Sequence, residues 1–349
     1  MTSRRTLLTA ALGAVAGSAT AGLATSPAAA WPGPHVTVAA DGSGDFTGIQ
    51  AAVDAVPSGN SGPFTIKVRP GVYRGQVIVP ADKPGIVLRG QGADPTQVVI
   101  VDDRANGTPR PDGGTWGTSG SASVTISGAG FSARNLTFAN DFDEAAHPEI
   151  TSKQAVAVLT RADRVAFDNV RFLGNQDTLY VNSPDAATIS RVYLRKCYVE
   201  GDVDFIFGRA TAVFDRCEIR SLNRGSTTNN GYVTAASTSI ANPHGFLIVN
   251  SKLTSDAPAG TVFLGRPWHP SNDPDAVAQT VIRDSTLGAH IAAAPWTDFG
   301  TWSWRDARYA EFHNRGPGAA VTADRPQLTP DQAAGATIDA YLGDWHPQR

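Results

Sequence analysis

Between residues 133 and 287 the apolar and polar positions recur as a six-residue phrase, neither strictly alternating nor helical in period. Its first, fourth and sixth places are apolar or small, and polar residues lie between. The copies are Ala133–Phe138, Phe167–Phe172, Leu194–Val199, Phe214–Ile219, Ile248–Leu253 and Ile282–Leu287. Their starts lie 34, 27, 20, 34 and 34 residues apart. Short β-rich runs broken by Gly, Asn, Asp and Pro, at spacings that stretch upward from one minimum, suit stacked coils with inserted loops. A β-sandwich rarely fills so long a chain, and a propeller requires longer, more even repeats. The expected fold is therefore all-β, a parallel β-helix. The open apolar end of such a solenoid needs a cap. Residues Asp45–Pro57 supply a helix for it, with a stripe of Phe46, Ile49, Val53 and Val56 that Pro57 ends.

Aligned copies predict contacts. Cys197 and Cys217 hold the fourth place of consecutive copies. Adjacent strands lie ~4.8 Å apart, inside the ~4.4–6.8 Å Cα range of a disulfide, so a Cys197–Cys217 bond is expected. Asp177 and Asp204 each follow their phrase start by ten residues, within Gly174-Asn-Gln-Asp-Thr-Leu-Tyr180 and Gly201-Asp-Val-Asp-Phe-Ile-Phe207. Two carboxylates on adjacent coils are costly unless something uses them. Turn capping and a calcium site, to which Asp202 would contribute, are two such uses. The third is catalysis: carboxylates this close do not both ionise readily, which yields an acid and an anionic nucleophile from one residue type. Strand alternation would send Tyr180 and Phe207 to the face opposite the Asp pair.

Composition narrows the function. Charged residues make up 17% of the 349-residue chain and the formal net charge is −3, which excludes a disordered tail and a basic nucleic-acid binder. Two cysteines exclude a disulfide-dense mini-fold and a multi-cysteine zinc site. No Gly-x-Ser-x-Gly elbow or His-Glu-x-x-His helix is present. Residues 1–30 read as a twin-arginine signal peptide, with Arg4-Arg5, a weakly apolar stretch and Ala28-Ala29-Ala30 before Trp31. Residues 31–349 then form one domain, secreted and extracellular. Removing Arg4 and Arg5 takes the net charge to −5.

At these residues the chain resembles the pectin methylesterases, over about Val36 to Trp345. The blocks that carry the resemblance are Gly71–Tyr73, Thr118–Val124, Gln154–Val158, Gly174–Leu179, Asp204–Gly208 and Leu264–Trp268, with Glu311–Gly318 as a closing segment. The resemblance implies a right-handed parallel β-helix that hydrolyses methyl esters of galacturonan (pectin) as a monomer, with no cofactor, metal, nucleic acid or membrane. It implies Asp204 as nucleophile, Asp177 as proton donor and acceptor, and Gln176 as oxyanion stabiliser. Gln154 would assist as a second oxyanion donor, Arg266 would pair with Asp204, and Thr118, Gln154, Arg266 and Trp268 would contact substrate. Arg266 is expected to lower the pKa of Asp204 and so leave Asp177 with the raised one. Two departures stand out: Gln76 where the family often carries Glu, and a long stretch over Asn182–Arg191. A pectin lyase or glycosidase and a non-catalytic polysaccharide-binding solenoid are the competing readings.

Overall fold

In the computed structural model residues 35–347 are described. The leader expected over residues 1–30, and its boundary at Trp31, lie outside them. Two sheets of sixteen and seven strands wind through the chain. Their successive coils pair in parallel, as in a right-handed parallel β-helix. The six phrases stack residue for residue: Ala133 opposes Phe167, which opposes Leu194, followed by Phe214, Ile248 and Ile282.

The third place of every phrase explains the pattern. Asn135, Asn169, Lys196, Arg216, Asn250 and Asp284 all have φ between 50° and 55°. This left-handed conformation turns the strand through a corner, and alternation restarts one residue late. Hence the first and fourth places both point inward. Asn and Asp, the non-glycine residues that tolerate this region best, occupy four of the six corners. The first, fourth and sixth places of all six copies are buried. Phe131, Phe138, Phe167 and Phe172 pack edge to face or tilted along the axis, with ring centroids 5.0–6.3 Å apart.

The fourth-place column changes chemistry along its length. After Cys197 and Cys217 it continues as Ser251 and Ser285, whose hydroxyls accept the backbone N–H of the preceding coil at 3.0 Å each. Asn314 accepts the last, from Ser285, at 3.1 Å. Cys197 and Cys217 are both buried free thiols, so the expected disulfide is absent. The Cα argument behind that expectation was incomplete. Parallel side chains in register keep their Cβ atoms about a strand spacing apart, ~4.8 Å, beyond the ~3.5–4.5 Å that a disulfide requires. Each sulfhydryl instead faces a carbonyl of the coil before it, Phe167 O at 3.6 Å and Leu194 O at 3.5 Å.

The N-terminal cap is shorter than expected. Its helix runs Ile49–Ala55 and buries Ile49, Ala52 and Val53. Phe46 bridges to Val38, and the Asp45 carboxylate accepts the Thr37 N–H at 2.8 Å, so this stretch belongs to the first coil. At the other end Glu311 occupies the place that Ile282 holds one coil earlier. Its buried charge is met by two hydrogen bonds from Arg325, at 2.8 and 2.6 Å. Helices Pro330–Gly335 and Ile338–Leu342 come next, and Tyr341 and Leu342 cover Tyr193, Val213 and Leu247 on the outside of the large sheet. Among the described residues no helix is long and apolar enough to cross a membrane.

Two free thiols sealed in the core should be inert in the native protein and reactive once it unfolds. A thiol-specific chromogenic reagent is expected to label neither cysteine in buffer and both in denaturant without reductant. A denatured, unreduced protein with no reactive thiol would show that the bond exists.

Candidate active site

The seven-stranded sheet lays Val158–Thr160, Leu179–Val181, Val203–Gly208 and Gly231–Ala236 side by side at its middle. Leu179 opposes Ile206 and Tyr180 opposes Phe207. The same offset sets Asp177 against Asp204, and the Asp177 N–H donates to Val203 O at 3.1 Å. Both aspartates are themselves left-handed corners, with φ of 68° and 50°. This overturns the expectation for Tyr180 and Phe207. Alternation slips after the corner, where Phe205 and Ile206 in succession both join the interior core, as Leu179 does one coil earlier, so both rings emerge beside the carboxylates. Their matching positions across the repeat were the available signal. The glycine ending Asp204–Gly208 has φ of 119°, and a Cβ there would run into Val181 O.

All seven expected site residues, Thr118, Gln154, Gln176, Asp177, Asp204, Arg266 and Trp268, line one cavity of about 260 Å³. Ser119, Tyr180, Phe207, Ala235 and Phe299 complete it, and no histidine does. The residues 182–191 do not reach the cavity wall. Gln76 is accommodated outside it, donating to Gly120 O and Ala122 O and accepting from Arg104.

Arg266 grips Asp204 with both arms of its fork, Nε to Oδ1 at 2.8 Å and Nη2 to Oδ2 at 2.6 Å. The guanidinium lies over the rings of Tyr232 and Phe299, at 4.0 and 4.3 Å. Cation–π contact on these two rings holds it in one orientation. The backbone after it tracks strand Gly231–Ala236, since the N–H groups of Arg266 and Trp268 donate to Thr234 O and Ala236 O. Trp268 thereby meets the stacked pair Tyr180 and Phe207 edge-on, at 6.0 and 5.6 Å, and the three rings form one wall.

The opposite wall is amide. Asn106 was not anticipated from sequence, since a lone Asn in a loop carries no local signature. Its Nδ2 donates to Thr118 Oγ1 at 3.0 Å and to Gln154 Oε1 at 3.2 Å. With Oε1 so engaged, the Gln154 amide nitrogen is left to the cavity. The Gln176 side chain has no hydrogen-bond partner among the described residues and lines the same space.

Burial dominates the electrostatics. Asp177 and Asp204 are 7% and 6% exposed. Desolvation, with the neighbouring Asp204 charge, pushes the Asp177 carboxyl well above its ordinary value. Desolvation raises Asp204 as well, against the opposing Arg266. The expected lowering of Asp204 is thus reversed by burial, while the order survives: Arg266 grips Asp204 and not Asp177. Asp202 lies behind the pair, caps the Val203 N–H at 2.6 Å and meets Arg224 at 3.4 Å.

The fold is a parallel β-helix whose cavity holds two aspartates, one of them clamped by arginine. The Pectinesterase family model matches residues 35–329. Pectinesterase A of Dickeya chrysanthemi is 36% identical, over 86% of this chain and 88% of its own. A pectinesterase of Ralstonia solanacearum is 36% identical over 82% and 80% of the two chains. Among solved structures, a pectin methylesterase in complex with a hexasaccharide superposes with a TM-score of 0.81 at 35% identity, covering 90% and 98%. The carrot pectin methylesterase gives 0.75 at 32% identity, covering 90% and 96%. The chain belongs to the pectinesterase family, and its class is carboxylic ester hydrolase.

The raised Asp177 pKa makes a stability prediction. The folded protein binds this proton more tightly than the unfolded chain, so stability declines as pH rises from the ordinary 3.8 toward the higher folded value. Asp177→Asn removes that slope. The variant should melt a few degrees above the parent at neutral pH, and the gap should close below about pH 4. Thermal scans at the two pH values test this, and a less stable variant at neutral pH would refute it.

Proposed function

We propose that this protein de-esterifies pectin, converting galacturonate methyl esters to galacturonate and methanol with Asp204 as nucleophile and Asp177 as acid and base. The observation that carries this reading is the asymmetry of the pair: two carboxylates one coil apart, only one of them held by a two-pronged arginine. In the resting state Asp204 is ionised and Asp177 holds the proton. An Asp204 oxygen attacks the ester carbonyl carbon, and the carbonyl electrons move to its oxygen. The amides of Gln154 and Gln176 donate to that oxyanion, a contribution of order 10²–10³ in rate per donor. As the tetrahedral species collapses, the C–O bond to methanol breaks and Asp177 protonates the leaving oxygen. An acyl-enzyme anhydride on Asp204 remains. Asp177, now ionised, takes a proton from water, whose oxygen attacks the acyl carbon. The product leaves as the acid and gives its proton to solvent, Asp204 is again a carboxylate and Asp177 again an acid.

Trp268, Tyr180 and Phe207 offer apolar ring faces to the sugar, and Thr118 and Ser119 line the cavity beside the amide wall. Every group in the scheme comes from a single chain, so a monomer is the proposed working unit. A leader over residues 1–30 fits delivery outside the cell, where the polymer is found.

Methanol release from methylated pectin, with ultraviolet absorbance followed for unsaturated products, is the direct test. Methanol without absorbance is expected, unchanged after exhaustive chelation. Activity lost to chelator and restored by Ca²⁺, with rising absorbance, would favour a lyase. Asp204→Asn should lower turnover at least roughly a thousandfold while pectin still binds, since the aromatic wall is untouched. Arg266→Lys keeps the charge but loses the planar fork, and should cost roughly ten- to a hundredfold in kcat/KM. The pH profile of kcat/KM should be bell-shaped. Activity rises as the pair loses its first proton and falls as Asp177, raised by burial, loses the second.

A further inference from the structure

The sixteen-stranded sheet, which does not carry the cavity, presents a column of three cations. Lys67 opposes Arg89, and Arg89 opposes Arg134, on three successive coils. In-register neighbours stand ~4.8 Å apart, and like charges so placed destabilise a sheet. The column continues to Asp168, which is bound by Arg195 at 2.9 Å and by Arg134 at 3.6 Å. Lys67 and Arg89 have no carboxylate and no hydrogen-bond partner among the described residues. All three cations face a groove of about 630 Å³, bounded by Gly90–Ala93, Asn135 and Asn169. The neutral groups there are engaged with one another: Asn135 Nδ2 donates to Gly92 O at 2.8 Å, and Asn169 Nδ2 donates to Asn135 Oδ1 at 3.0 Å. Lys67 and Arg89 are the unpaired charges of the groove, and Arg134 shares Asp168 with Arg195.

Arg134 also lines a second hollow of about 470 Å³, where the half-buried ring of Trp345 stands. Arg164 borders it, already bound to Asp344 at 2.7 Å. A line of fixed positive charges with an aromatic ring beside its last member matches a linear polymer of sugar rings bearing carboxylates. The chain as a whole is acidic, at −3, so this is a local field and not a generally basic surface.

We propose that the Lys67–Arg89–Arg134 column is a second polysaccharide site, which binds galacturonan whose esters have been removed. The inference rests on the proposed de-esterification, because each ester cleaved turns a neutral ring into a carboxylate. Product is therefore held here where substrate is not.

The test uses the full-length enzyme and a double variant, Lys67→Ala/Arg89→Ala, with Lys67→Gln/Arg89→Gln as a bulkier control. The probes are fluorescent galacturonan oligomers, fully de-esterified or fully esterified, and a single-stranded oligonucleotide. The parent should bind the de-esterified oligomer more tightly than the other two. Both double variants should bind it roughly tenfold more weakly at low ionic strength, with a shallower salt dependence. Their methanol release from short esterified oligomers, and their Tm, should match the parent. Equal affinity of parent and variants for the de-esterified oligomer would overturn the proposal. So would an oligonucleotide that binds as tightly and loses as much, since the column would then be an undiscriminating basic patch. A parent that releases no methanol would refute the esterase reading alone, whereas methanol release with unaltered oligomer binding would refute this site alone.

Discussion

Left-handed corners stacked through six successive coils, from Asn135 to Asp284, are the constraint on which the core depends. Each non-glycine residue at positive φ costs roughly 1–2 kcal/mol. The cost is offset by the buried residues that the corner turns inward, each contributing roughly 1.5–3 kcal/mol. The corner at Asn169 is followed on the next coil by one at Lys196, and the hydrogen-bonded ladder continues on both sides of them. Loops of any length can be inserted elsewhere, which is why the phrase spacings vary while the registers do not.

The same rule builds the site. Asp177 and Asp204 are corners too, so the ladder brings two carboxylates together whether or not they repel. A corner also re-aims the side chains after it, and Tyr180 and Phe207 come out on the side of the acids. The fold thus sets the spacing of the pair and the position of the aromatic wall through one backbone feature. Asp suits both demands: it tolerates the left-handed region better than most residues, and it supplies the chemistry.

The phrase was legible in sequence because its inward places are filled by apolar or small residues in every copy. Its cause was not, since a corner leaves no mark beyond a preference for Asn and Asp that Lys196 and Arg216 do not share. Reading strict alternation across Asp177 and Asp204 therefore misplaced two rings. The cysteine expectation failed for a related reason: register fixes Cα neighbours, but a disulfide depends on Cβ atoms that parallel stacking keeps apart. Asn106 was invisible because its role depends on three segments, around residues 106, 118 and 154, meeting in space. The sign of the Asp204 shift depended on burial, which a single charge pair read from sequence does not report.

Stacking alone makes Asp177 and Asp204 equivalent, and two equivalent acids cannot divide the work of attack and proton transfer. The asymmetry has to come from outside the ladder. It comes from Arg266, two coils beyond Asp204, where the chain leaves strand Val262–Gly265. That arginine reaches only one of the acids. Tyr232 and Phe299 hold its plane, so the fork cannot swing toward Asp177 without losing both ring contacts. Desolvation and the neighbouring Asp204 charge push the Asp177 pKa well up, whereas at Asp204 the arginine opposes the rise that burial causes. The repeat supplies the pair, and in the proposed mechanism the residue that breaks its symmetry assigns the roles.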